Sequence, residues 1–175
     1  MKFDTKQQRQ KKNITRIILI GLLFLAGTLI YITNLTANPV PQSIRSQVSF
    51  KFIIPISALV KIDSSSYSYD SDNKILSFIG TYQNNNIVFN EQTAPDTLGT
   101  DSQPYYQALG IHAYAQFKVA LGTVVLTRFW QAGTLIPNGQ SGLLLAKGTL
   151  LSIHTDKTLS NEQWKTLFNT TKIAQ

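Results

Sequence analysis

The apolar residues of this chain follow two different patterns on either side of a proline-containing spacer at residues 36–43. Before the spacer, residues 17–35 are almost entirely apolar and carry no charge. A helix rises about 1.5 Å per residue, so this stretch spans roughly 28 Å, close to the ~30 Å hydrocarbon core of a bilayer. The pattern therefore predicts a transmembrane helix at residues 17–35.

After the spacer, apolar and polar residues alternate with period two, which is typical of half-buried strands. Val48, Phe50 and Phe52 share one face of a first strand that ends at Pro55. Turn signals at Asn84–Asn86, Leu121-Gly122 and Lys147-Gly148 separate later strands. The remaining predicted strands are 66–69, 75–83, 87–92, 114–120, 123–129, 142–146 and 149–154.

Two helices and one long connection complete the predicted elements. Residues 102–109 indicate a short helix that ends at Gly110. Ser160 and Gln163 form a capping box, and Trp164, Leu167 and Phe168 supply an apolar stripe that Ile173 extends. Residues 130–141, with Pro137, Asn138 and Gly139, are predicted to be a loop. Loops of this length in compact domains are often functional.

The predicted fold class is α+β. An N-terminal transmembrane helix precedes an antiparallel β-rich domain of about eight strands, and a C-terminal helix packs on that domain. The predicted domain organisation is a basic tail at 1–16, a membrane helix at 17–35, the spacer at 36–43 and one extracytoplasmic α+β domain at 44–175.

The distribution of charge predicts how the chain is oriented in the membrane and argues against a nucleic-acid-binding function. Of the net charge of +7, the first 16 residues carry +5, from six Lys and Arg against Asp4, and the remainder carries 10 − 8 = +2. The positive-inside rule places this tail in the cytoplasm and the domain outside the plasma membrane. The basic pI thus reflects topology, and no nucleic-acid-binding pattern accompanies it.

Cleavage is the alternative to an anchor, because a signal peptidase could cut after Ala37 and release the domain. The apolar run is longer than usual for a signal peptide, and Leu35 is large where a small residue is preferred, so we favour the uncleaved anchor. The chain contains no cysteine. This excludes lipid attachment through cysteine, disulfides and thiolate zinc sites.

The segments Gly122–Arg128 and Gly142–His154, followed by a short terminal helix, are similar to the second half of a group of uncharacterised bacterial proteins. The proline-containing spacer and a strand ending in Glu91-Gln92 are similar too. Those proteins are small and single-pass, with one extracytoplasmic α+β domain. The resemblance implies that architecture and brings no catalytic residues.

Aromatic residues are the main candidates for a binding site. Exposed aromatic rings stack on sugars or peptides, whereas buried rings close the core of a sheet, and the sequence leaves both roles open. Trp130 stands out because it begins the predicted 130–141 loop. The candidate ligand-binding residues are Tyr67, Tyr69, Tyr105, Tyr106 and Trp130.

Catalytic and metal-binding signals are weak. Ser152, His154 and Asp156 lie close in sequence, but a hydrolase needs such groups to converge in space. Ser141 lies one residue away from a G-x-S-x-G pattern, and His154 is expected at the surface of a strand end. Asp70 and Asp72 lack the partners of a calcium loop, so no metal or cofactor is predicted.

These observations lead to two hypotheses. The first is a membrane-anchored module at the bacterial cell envelope that binds an envelope protein or a cell-wall component. The second is an envelope hydrolase that uses Ser, His and Asp.

Overall fold

The computed structural model describes residues 39–95, 113–131 and 134–174. The predicted membrane helix at 17–35, the predicted helix at 102–109, Tyr105 and Tyr106 lie outside these ranges. Within them, no helix is long and apolar enough to cross a membrane. Residues Pro39–Gln175 form one compact unit.

The described residues form a β-rich domain with ten strands in antiparallel sheets and a C-terminal helix. The helices are α1 (Gln42–Arg45) and α2 (Asn161–Asn169). The strands are β1 (Phe52–Pro55), β2 (Val60–Ile62), β3 (Ser68–Asp70), β4 (Ile75–Tyr82), β5 (Asn85–Thr93), β6 (Ala113–Val119), β7 (Gly122–Gln131), β8 (Thr134–Ala146), β9 (Thr149–Thr155) and β10 (Thr171–Ala174).

The main sheet has eight strands, and seven of them follow the order β2-β4-β5-β9-β8-β7-β6. The eighth strand, β3, pairs with residues 75–77 of β4, and β2 pairs with residues 80–82 of the same strand. Strands β2 and β3 therefore both lie along the same edge of β4. Two-residue turns connect β4 to β5 and β8 to β9. Their residues Gln83, Asn84, Lys147 and Gly148 all have positive φ, as type I′ turns require.

One face of the main sheet, here called the inner face, carries the core. Its fully buried rings include Phe78 and Phe89, which stack with centroids 4.6 Å apart. Helix α2 lies against this face through Trp164, Leu167 and Phe168, all essentially buried. The fit is close at Gly142 of β8, where an added Cβ would lie 2.5 Å from Phe168 Cε2.

A separate two-stranded ribbon, β1 paired with β10, joins the start of the domain to its end. Ile53 and Ile54 of β1 are fully buried, as their apolar sequence predicts. Among the described residues, hydrogen bonds join β1 and the residue before it to the main sheet. Thr149 Oγ1 donates to the Lys51 carbonyl at 2.7 Å, and the Ile53 N–H donates to Glu91 Oε2 at 2.9 Å.

The C-terminal helix confirms the prediction from sequence in detail. Ser160 Oγ accepts a hydrogen bond from the Gln163 N–H, and Gln163 Oε1 accepts one from the Ser160 N–H, which completes the capping box. The predicted extension through Ile173 is wrong, because the helix ends at Asn169 and Ile173 belongs to β10, opposite Ile53.

The predicted loop at 130–141 is also wrong. Strand β7 continues to Gln131, and β8 begins at Thr134, so this region is the end of a long hairpin. Pairing is broken only between Arg128, opposite Gln140, and Trp130, opposite Leu135. The turn-forming residues that favour a loop lie in an irregular stretch of β8, residues 136–139, which is opposite Phe129 and unpaired with β7 and in which Asn138 has φ 61°.

The first predicted strand starts too early, since pairing begins at Phe52 and not at Val48. Helix α1 occupies part of the region between the spacer and that strand. Two short strands, β2 and β10, have no clear signal in the sequence because each is only three or four residues long.

Candidate functional site

The second face of the main sheet, here called the outer face, carries a mixed set of polar and apolar side chains. Strand pairing aligns them in rows across β4, β5 and β9. Ser77, Asn90 and Ser152 form one row, and Ile75, Gln92 and Leu150 form the next. These residues alternate along their strands with core residues such as Phe78 and Phe89, which places them on the opposite side of the sheet.

These two rows line a recess of about 320 Å³. Its volume lies at the lower end of the range for small-ligand sites, about 300–1,000 Å³. The described residues that line it are Asp70, Ile75, Ser77, Asn90, Glu91, Gln92, Leu150 and Ser152.

Hydrogen bonds fix one side of the recess. Ser77 Oγ donates to Asn90 Oδ1 at 2.8 Å, which orients the Asn90 carboxamide. Ser152 Oγ donates to the Asn90 carbonyl at 3.4 Å. Among the described residues, nothing accepts a hydrogen bond from Asn90 Nδ2, and the Gln92 carboxamide makes no hydrogen bond. The recess therefore offers one oriented carboxamide, that of Asn90, and a second, that of Gln92, and both have spare hydrogen-bonding capacity.

Asp70 lies at the rim of the recess, where β3 ends. Its carboxylate accepts hydrogen bonds from the backbone N–H groups of Asp72 and Asn73 and from Asn73 Nδ2. The bonds from Asn73 contribute most to lowering the pKa of Asp70. This carboxylate is thus engaged in its own turn, and these hydrogen bonds favour its ionised form.

A serine–histidine pair lies beside the recess on the outer face. Ser141 of β8 and His154 of β9 are directly opposite each other, and a 2.8 Å hydrogen bond joins Ser141 Oγ and His154 Nδ1. The ring of Phe129 stacks on the imidazole with centroids 4.7 Å apart. His154 is half-buried rather than fully exposed, because Phe129 stacks on its ring and Ser141 bonds to its Nδ1.

This pair lacks the rest of a hydrolase site. Burial lowers the pKa of His154 to about 4, so the ring is neutral at pH 7. No carboxylate of the described residues contacts His154, and Ser141 is only 4% exposed. Ser152 bonds to the Asn90 carbonyl instead, and among the described residues no hydrogen bond links the candidates Ser152, His154 and Asp156.

Three apolar residues of the outer face form a cluster next to the recess. Val125, Leu143 and Leu150 are buried on β7, β8 and β9, and Leu150 also lines the recess. On the same face Val88 and Ile79 are 37% and 44% exposed and lie in the row that contains His154. One side of the recess therefore borders a largely apolar surface.

Sequence-based reasoning placed the binding site among aromatic residues, and the structure locates two of them on the inner face. Tyr67 packs on Phe78 with centroids 4.9 Å apart, and Tyr69 lies against the same core. Trp130 belongs to β7, near the end of the hairpin. Tyr105 and Tyr106 lie outside the described residues. The structure does not bring these candidates together at one described site.

Glu91 borders the recess as part of β5, but its carboxyl group lies on the inner face, on the other side of the sheet. Glu91 is 0% exposed, and its Oε1 has no partner among the described residues. Burial raises the pKa of Glu91 to about 8, although the hydrogen bond from Ile53 opposes this effect. Burial and then the nearby Glu91 carboxylate raise the pKa of Tyr67 to about 12. The Tyr67 hydroxyl is likewise buried without a partner.

No cluster of three or more potential metal ligands occurs within the described part of the chain. Comparisons with protein-family models, curated proteins and solved structures give no match to this chain. The resemblance to single-pass bacterial envelope proteins therefore stays a prediction, and the function has to be argued from the geometry alone.

Sequence reasoning missed the recess because its residues are ordinary ones. Asn90 and Gln92 were assigned to a strand, and their alternation with Phe89 and Glu91 was the available signal for a shared face. What the sequence alone does not give is the pairing of β5 with both β4 and β9, which brings Ser77 and Ser152 to either side of Asn90.

Proposed function

We propose that this protein is a binding module of the bacterial cell envelope and that the outer face of its main sheet is the binding surface. The observation that carries the proposal is the recess beside Asn90 and Gln92, where Asn90 Nδ2 and the Gln92 carboxamide have no hydrogen-bond partner among the described residues. A surface with preformed shape and unpaired polar groups is what small-ligand recognition requires.

The proposed location rests on the sequence. The basic tail at 1–16 stays in the cytoplasm, residues 17–35 span the plasma membrane, and the domain lies outside. The spacer at 36–43 then holds the domain near the membrane surface, where an envelope protein or a cell-wall component is the available partner. Release of the domain by cleavage after Ala37 is the alternative arrangement.

Binding to isolated envelopes tests this function. The purified full chain, in a zwitterionic detergent, is mixed with envelope material and sedimented. Gln92→Lys places a long charged side chain in the recess, whereas Gln116→Lys makes the same change on β6, on the same face. Gln116 lies four strands from β5, roughly 19 Å at about 4.8 Å per strand. We expect loss of binding for Gln92→Lys only; equal binding by both variants contradicts the proposal.

The pair of Ser141 and His154 supports a second candidate, an envelope hydrolase, because the 2.8 Å hydrogen bond meets the first geometric requirement of a nucleophile and its base. A serine-directed fluorophosphonate probe separates the two functions. A hydrolase requires labelling that Ser141→Ala abolishes. A binding module predicts no labelling of Ser141, which is consistent with its 4% exposure.

A further inference from the structure

The recess has the chemistry of a site for an uncharged ligand. Its uncharged polar groups are two carboxamides and two hydroxyls, all partly exposed, and the exposed charged side chain at its rim is Asp70. No lysine or arginine is among its described lining residues. The carboxylate of Asp70 at the rim already accepts three hydrogen bonds within its turn. An anionic ligand would find no cation among the described lining residues, and the one exposed carboxylate lies at the rim, with three of its acceptor sites already used.

The two carboxamides set the pattern of hydrogen bonds that a ligand has to match. Asn90 Oδ1 is occupied by the Ser77 hydroxyl, so Asn90 presents its Nδ2 donor. Gln92 presents both a donor and an acceptor. A ligand hydroxyl both donates and accepts, so one hydroxyl-rich ligand satisfies both side chains.

The apolar lining completes the complementarity. Gln92 has Ile75 directly opposite on β4 and Leu150 directly opposite on β9, so an apolar side chain lies on each side of the polar one. Leu150 is 7% exposed and forms part of the buried cluster beside the recess. A sugar ring combines apolar C–H patches with hydroxyls at its edge, and this matches the order of groups across the recess.

Strand pairing argues against an extended peptide. The recess lies over β4, β5 and β9, and in this region each strand is hydrogen-bonded on both sides. A peptide that binds by strand addition needs an unpaired sheet edge. Recognition over these three strands therefore depends on side chains alone.

From these contacts we propose that the recess binds a neutral glycan, with one sugar unit over Ile75 and Leu150 and its hydroxyls on Asn90 and Gln92. This inference rests on the proposed function, because it names the ligand class of the same surface. The two carboxamides then determine which sugar is bound, and the two apolar side chains contact the face of its ring.

Side-chain amide resonances report on this site directly. The ¹⁵N-labelled full chain, in micelles of a zwitterionic detergent, is titrated with chitotriose, cellotriose and maltotriose as neutral probes. Trigalacturonic acid is the anionic probe and trialanine the peptide probe. We expect saturable shifts of the Asn90 and Gln92 side-chain amides with at least one neutral probe. Gln92→Ala should then weaken binding about five-fold, the effect of losing one neutral hydrogen bond, while Gln116→Ala leaves it unchanged.

Two results overturn this inference, and both are distinct from failure of the proposed function. Saturable shifts at Asn90 and Gln92 with trigalacturonic acid or trialanine, and none with the neutral probes, show that the recess binds another class of ligand. No saturable shift with any probe shows that the recess is not a glycan site. The envelope sedimentation comparison decides the proposed function separately.

Discussion

Glu91 of β5 and Ile53 of β1 are joined by a 2.9 Å hydrogen bond from the backbone N–H of Ile53 to a carboxyl oxygen that is fully buried. This contact attaches the β1–β10 ribbon to the middle of the main sheet. The ribbon contains the first strand after the proposed anchor, so the contact also links that end of the domain to the strand that carries Asn90 and Gln92.

The buried Glu91 makes folding stability fall as the pH rises. Its pKa is raised from 4.5 to about 8 in the folded state, so the folded protein holds the proton more tightly than the unfolded chain. Its contribution is fully present below about pH 4.5. It is lost progressively as the pH rises to about 8, with a limiting slope of about 1.4 kcal/mol per pH unit. Urea unfolding from pH 5 to pH 8 measures this slope.

Glu91→Gln keeps an acceptor for the Ile53 N–H but cannot ionise. We therefore expect the variant to lose the fall in stability between pH 5 and pH 8 and to be more stable than the parent at pH 8. Glu162→Gln, on the exposed side of α2, is the matched control and should keep the parental slope. A parental slope in Glu91→Gln would show that Glu91 is not the group responsible.

His154 has the opposite effect at lower pH. Burial lowers its pKa from 6.5 to about 4, so the unfolded chain binds the proton more readily than the folded protein. The stability that the neutral ring contributes is present above about pH 6.5 and is lost as the pH falls toward 4. His154→Gln removes this dependence, which the same urea series between pH 4 and pH 7 detects. A titration of His154 above pH 6, measured by NMR, would contradict the burial of its ring beside Ser141.

The close packing at Gly142 predicts a steric effect. An added Cβ would lie 2.5 Å from Phe168 Cε2 and 2.9 Å from Trp164 Cζ3. Gly142→Ala should destabilise the domain by about 1–3 kcal/mol, the usual cost of overpacking a core. Combining it with Phe168→Leu should recover part of that loss, so the two changes will be non-additive. Strict additivity would mean that α2 does not pack on β8 as described.

Sequence reasoning succeeded where local chemistry determines structure. The capping box at Ser160 and the turn at Lys147-Gly148 both form as predicted, because each depends on a few adjacent residues. It failed where pairing between distant segments overrides local signals. The Pro137–Gly139 stretch favours a loop by composition, yet the pairing of β7 with β8 on both sides of it keeps it within β8 as an irregular, unpaired stretch.

The candidate site was less predictable than the fold, because it too depends on pairing between segments that are distant in sequence. Tyr67 was a candidate because of its chemistry, but stacking on Phe78 directs it to the inner face. The recess depends on three strands lying side by side, and no local pattern around Asn90 specifies which strands flank it.

The proposed topology is testable because the chain has no cysteine. Thr5→Cys and Lys157→Cys each introduce one thiol. In intact cells a membrane-impermeant maleimide should label only the Lys157→Cys protein. In permeabilised cells both proteins should label at the mobility of the full chain. Label on Thr5→Cys in intact cells contradicts the orientation, and a small labelled fragment from Thr5→Cys shows cleavage after Ala37.

Photo-crosslinking from the recess in living cells tests the central claim most directly. Benzoylphenylalanine replaces Gln92 in one version of the full chain and Gln116 in another, so the two probes lie on the same face of the sheet. We predict a light-dependent covalent adduct with envelope material from position 92 and none from position 116. Absence of an adduct at position 92, or equal adducts at both positions, would contradict the claim that the recess is the binding site.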